Sequence, residues 1–158
     1  MTHVEIPQRV LVISGAFGSS LDAIRVVAAI ARGLESGGQP TPDLCALRPP
    51  SASAADASPD ERREDIRGLL DSLDFDARMR ASRAVIVGAA ELHERTLAGS
   101  PSFEIATRAR QGGIPAYAVT GVNALSAFDA RVLDLQLVLE ARTVRALTAA
   151  GGTLAKVI

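Results

Sequence analysis

"RVLVISGAFGSSLDAIRVVAAIARGLESGG", residues 9–38, decides the fold. Arg9 to Ser14 is a short apolar run without alternation, the pattern of a strand covered on both faces. "GAFGSS", residues 15–20, reads as a turn, and residues 20–36 as a helix. Ile24, Val27, Ala28, Ala31 and Leu34 recur at three- and four-residue steps, which predicts one buried stripe. Gly37–Gly38 supplies the stop. Strand, glycine-bearing turn and amphipathic helix together open a βαβ unit, and that unit calls for a parallel sheet.

The alternation continues outward from there. Residues 43–47 read as a second strand, and "RPPSASAADASP", residues 48–59, has the composition of a linker. Ser58-Pro59-Asp60-Glu61 matches a capping box with proline at the first helical position. Ile66, Leu69, Leu70 and Leu73 give the buried stripe of the helix that follows. A short helical piece around residues 74–82, with Asp74 and Asp76 as its caps, leads into a strand from Ala84 to Gly88. Residues 101–111 read as a helix with Ser100 as its cap and Gly112–Gly113 as its stop. Ile114–Val119 reads as a strand with Pro115 near its start, where a missing donor is tolerated. Val132–Leu139 fits either a fifth strand or a helix, and residues 143–158 read as helical apart from Gly151–Gly152. The fold class expected is α/β: one Rossmann-like, three-layer α/β/α domain over residues 1–158, with a mostly parallel sheet of four to five strands.

Composition narrows the function. The 158 residues are 47% hydrophobic and 22% charged, with a net charge of −1, an ordinary globular balance. No basic stripe with interleaved aromatics is present, which argues against nucleic acid as a partner. Cys45 is the only cysteine, so no intrachain disulfide forms, and its apolar surroundings predict a small buried hydrophobe. No Cys/His spacing suits a metal site. Neither a signal-peptide pattern nor an apolar run of spanning length is evident, which points to a cytoplasmic protein away from membranes.

In a parallel sheet ligands sit beyond the carboxyl ends of the strands. Three loops therefore bear on function: Ser14–Ser20, Gly88–Arg95 and Thr120–Asn123. The second lies in "VIVGAAELHERTLAGSP", residues 85–101, where Glu91, His93, Glu94 and Arg95 arrive together. His93 and Glu91 are candidate proton carriers. Arg95 is a candidate fork for a carboxylate. Asn123 is a candidate for orienting a carbonyl. Gly15, Gly18, Ser19 and Ser20, following Ser14, read either as an anion cradle of backbone N–H groups or as a tight turn with a serine cap.

Two stretches resemble type-I glycerate kinases. "FGSSLDAIRVVAAIARGL", residues 17–34, is similar to F-K-G-S-L-S-A-x-E-V-A-x-A-I-A-x-G-L. The segment "VIVGAAELHERTLAGSP" and its continuation to Gly121 are similar to V-I-T-G-E-G-x-L-D-x-Q-T-L-x-G-K and the A-x-x-A-x-x-x-G-I-P run after it. Gly88, Leu92, Thr96, Leu97 and Gly99 agree with the motif, and Gly88 and Thr96 join the ligand-binding candidates on that ground. The resemblance implies a Rossmann-like domain whose inserted second domain is missing, with residues 48–59 at the insertion point. The departures fall on charged positions. Gly18 stands for the family's lysine, Ala89 for its glutamate, His93 for its aspartate, Arg95 for its glutamine and Ser100 for a second lysine. Lys156 is the only lysine in the chain.

Phosphoryl transfer depends on positioned cations and carboxylate-held magnesium. The resemblance therefore implies a repurposed scaffold: an acid–base enzyme on a small organic substrate, with specialised metabolism as a setting and with no cofactor and no metal. The alternatives are a non-catalytic, pseudokinase-like module that binds a metabolite, or residual ATP- and magnesium-dependent glycerate kinase. Surface uncovered by loss of the second domain predicts a homodimer or higher homo-oligomer.

Overall fold

The computed structural model describes residues 9–48, 58–94 and 99–158. Most of the expected linker, residues 49–57, lies outside these, as do Arg95 and Thr96. In chain order the elements are β1 (Val10–Ser14), α1 (Ala23–Ser36), β2 (Asp43–Ala46), α2 (Pro59–Ser72), α3 (Phe75–Arg80), β3 (Ala84–His93), α4 (Pro101–Gln111), β4 (Ala116–Ala124), α5 (Ala127–Val132), β5 (Leu135–Glu140) and α6 (Val144–Val157). The strands form one five-stranded sheet in the order β2-β1-β3-β4-β5, and every pairing is parallel. This is a doubly wound, Rossmann-like α/β fold, as expected.

Alternation along the strands divides the core in two. Val10, Val12, Ile86 and Val119 meet Val26, Val27, Ile30 and Leu34 of α1 and Leu147 and Leu154 of α6. Leu11, Ile13, Val85 and Val87 meet Leu70 of α2, Phe75 and Met79 of α3, and Ile105 and Ala109 of α4. Cys45 is buried in this second layer, and burial pushes its thiol above the usual value. Local signals set the helix starts. Ser58 and Glu61 complete the capping box of α2, and Ser100 accepts a hydrogen bond from the Phe103 N–H at the start of α4. Asp74 occupies the cap position of α3 with positive φ, but its side chain makes no capping bond. Asp76 instead pairs with Arg108 at 3.2 Å.

The buried stripe of α1 is turned from the one the spacing predicts. Val27, Ala31 and Leu34 are buried, but Ile24 is 69% exposed. The cause is a close contact with α6. A Cβ on Gly33 would lie 1.9 Å from the Thr148 carbonyl oxygen, and one on Gly151 would lie 2.3 Å from that of Ile30. Gly33 must therefore face α6, and Ile24, about two and a half turns back, falls on the opposite side. The same contact explains why α6 runs unbroken through Gly151–Gly152, where the sequence suggests an interruption.

Two expected loops are strand. β3 continues to His93, and β4, starting after Pro115, continues to Ala124, so Thr120–Asn123 is not a loop. β1 accompanies β3 only as far as Ser14 opposite Gly88, and β5 accompanies β4 only to Glu140 opposite Thr120. Beyond those points β3 and β4 pair with each other alone, up to His93 opposite Ala124. The result is a two-stranded parallel ribbon reaching roughly 16 Å past the sheet. Of the ambiguous stretch Val132–Leu139, Val132 ends α5 and Leu135–Leu139 is strand. Asp134, with φ of 54°, makes the turn between them.

Candidate functional site

The site expected at the carboxyl ends of β1 and β3 can be built from its floor. Ser14 is fully buried and its Oγ donates to the Gly15 carbonyl at 2.7 Å. A Cβ on Gly88 would lie 2.2 Å from that Oγ, so the serine fills the space the glycine leaves. The Phe17 ring lies over the same place, 3.6 Å from such a Cβ and 3.9 Å from one on Gly121. Gly88 thus serves packing here, and side chains occupy the base of the crevice.

The loop above it is a closed turn. The Phe17 N–H donates to the Leu21 carbonyl at 2.8 Å, and Gly18 has φ of +71°. Ser19 and Ser20 are exposed, and neither caps the helix. The cap is Asp22, whose Oδ1 accepts from the Arg25 N–H at 2.9 Å. A carboxylate already sits on the positive end of α1, which disfavours a second anion there. The expected serine cap is corrected to an aspartate for this reason.

Pleating separates the candidates further. Val85 and Val87 face the layer of α2, α3 and α4, so alternation puts Ala89, Glu91 and His93 on that side. Gly88, Ser14 and Gly121 face Phe17 on the α1–α6 side, and Asn123 follows Gly121 by two residues. Among the described residues, Glu91 and His93 therefore lie on the opposite face of the sheet from Ser14, Gly88 and Asn123. Asn123 is also engaged locally: its Oδ1 accepts from the Leu125 N–H at 3.2 Å.

Two residues that the sequence does not single out support the ribbon. The Asn123 N–H donates to Oε1 of Glu140 at 3.0 Å, and Nε of Arg142 donates to the Gly121 carbonyl at 2.8 Å. These side chains meet backbone groups of β4 that the end of β5 leaves without a strand partner.

At the tip of the ribbon, His93 is half-buried and Glu91 is exposed. Glu94 follows, and a hydrogen bond to Asp129 together with repulsion from it pushes the Glu94 carboxyl above its usual range, while the charge of His93 opposes the shift. Asp129 belongs to the first turn of α5, where Ser126 Oγ donates to its Oδ2 at 2.9 Å and accepts from its N–H at 3.1 Å. The arrangement is an imidazole next in sequence to a carboxyl whose proton affinity Asp129 raises. The sequence offers His93 and Glu94 as neighbours, but Asp129 reaches them only through the β3–β4 pairing. Among the described residues, no three His, Cys, Asp or Glu side chains stand together as metal ligands, and no helix is long and apolar enough to cross a membrane.

No family model and no curated protein matches the chain. Among solved structures, a provisionally assigned glycerate kinase 2 from Salmonella typhimurium LT2 is similar, at 13% identity and a TM-score of 0.43. The match covers 58% of this chain and 25% of the other. That is a distant likeness of fold over a quarter of the longer protein, and it establishes neither family nor activity.

Proposed function

We propose that the chain is an acid–base enzyme acting on a small organic substrate at the ribbon tip, with His93 as the proton-transferring group. One observation carries this reading: His93 is half-buried at the ribbon tip with Glu94 next to it, and Asp129 pushes the Glu94 carboxyl above its usual range. An imidazole with carboxyl groups close by can take a proton from carbon or oxygen and have its charge balanced locally. Glu91, two residues back on the same strand face, is a second proton carrier.

A panel of compounds tests this before any substrate is identified. Small carbonyl compounds and carboxylic acids are incubated with the protein in D2O and followed by NMR for deuterium uptake at carbon. The expected result is uptake into at least one compound that falls about a hundredfold or more in His93→Ala. Uptake at an undiminished rate in a folded His93→Ala variant would overturn the reading.

A second reading, a non-catalytic binding module, is favoured by the packed base of the β1–β3 crevice. Self-association belongs with it, since Phe128 of α5 is 72% exposed. Residual glycerate kinase activity rests on sequence motifs alone. ADP release on adding glycerate, ATP and magnesium would support it.

A further inference from the structure

We propose that a cleft between α2 and α4, separate from the ribbon tip, binds a small organic monoanion: a carboxylate carried on an apolar body. The cleft has a volume of about 290 Å³ and is lined by Arg63, Ile66 and Arg67 of α2 and by Ser100, Phe103 and Glu104 at the start of α4. Gly99, which also borders it, brings the two helix starts together, for a Cβ on it would lie 3.9 Å from the Pro59 carbonyl oxygen.

The lining specifies the ligand. Arg63 and Arg67 stand one turn apart on α2 and face one space, where like charges repel. Their partners within the chain are weak. Arg63 lies 3.6 Å from an Asp60 carboxylate that is itself 93% exposed, and Arg67 lies 3.7 Å from Glu104. Glu104 is held more closely by Arg108, at 3.1 Å. Neither of those two arginine contacts is a good hydrogen bond, whereas a carboxylate in the cleft can accept in bidentate fashion from either guanidinium. Two arginines and one glutamate give the lining a formal charge of +1, which matches a monoanion and works against a triphosphate. Ile66 and the Phe103 ring form an apolar wall for the body of such an acid. The volume lies at the lower end of ligand pockets, so the ligand is small.

Benzoate is the probe, added to the full chain while backbone amide NMR signals are followed. The expected result is saturable shifts at the Ser100, Phe103 and Glu104 amides in the millimolar range, with affinity falling about tenfold in Arg63→Gln or Arg67→Gln and further in the double variant. Both arginines are about half exposed, so the variants should keep the wild-type melting temperature. Acetate, which lacks the body, and inorganic phosphate, which lacks it and carries more charge, should bind more weakly than benzoate to the unaltered protein. No shift at these amides up to roughly 50 mM benzoate, equal affinity for phosphate and benzoate, or an unchanged affinity in a folded double variant would each overturn the proposal. The acetate and phosphate comparison needs no variant, so it decides the matter even if a variant fails to fold.

Discussion

Asp43 and Arg78 show what one residue pair can report. Nε and Nη2 of Arg78 donate to the two oxygens of Asp43 at 2.9 and 2.7 Å, and Nη2 also reaches the Leu44 carbonyl. The bond ties α3 to the edge strand β2. It is also the main reason the Asp43 carboxyl lies below its ordinary value of 3.8, with the charge of Arg78 adding to it and burial opposing. A depressed carboxylate stabilises the fold above its unfolded value, and that contribution is lost as pH falls through the folded value. Asp43→Asn should therefore cost about 1–2 kcal/mol at neutral pH. The gap from wild type should begin to close below pH 3.8, a result that urea denaturation at a series of pH values would check. Nothing in the sequence marks this pair, because its members are 35 residues apart. Asp129 is hidden for the same reason, whereas His93 draws notice as a candidate by its residue type alone.

At the scale of elements, legibility follows locality. The capping box of α2, the Ser100 cap of α4 and the apolar run of β1 are set by neighbours in sequence, and each is readable there. The extensions of β3 and β4 are not, because Glu91, His93 and Asn123 look like loop residues and only cross-strand pairing makes them strand. The glycines of α6 mislead for the opposite reason: they look like a break but serve a contact. That contact separates two adjacent substitutions. Gly151→Ala drives a methyl into the Ile30 carbonyl and should destabilise by about 2–4 kcal/mol. A Cβ on Gly152 has its nearest neighbour, the Gly33 carbonyl oxygen, at 3.9 Å. Gly152→Ala should be neutral or stabilise by up to about 1 kcal/mol, through helix propensity alone. Thermal or chemical denaturation of the two variants side by side checks the pair.

For the whole molecule, the class of fold is readable and the strand order is not. Alternating strand and helix signals require a parallel sheet, but the placing of β1 between β2 and β3 depends on contacts across the chain. The same order seats α6 against α1 on one side of the sheet. Of the described helices, the first made is therefore finished by the last. A ribosome that has released the chain only to residue 143 presents a growing polypeptide with Val26, Ile30 and Leu34 half-covered, a surface that invites chaperones or aggregation. Stalled nascent chains of that length should be cut readily by protease, and resistance should arrive only when residues 144–157 emerge. This domain would thus close in a single step that waits on α6, with little gained by folding before that helix is made.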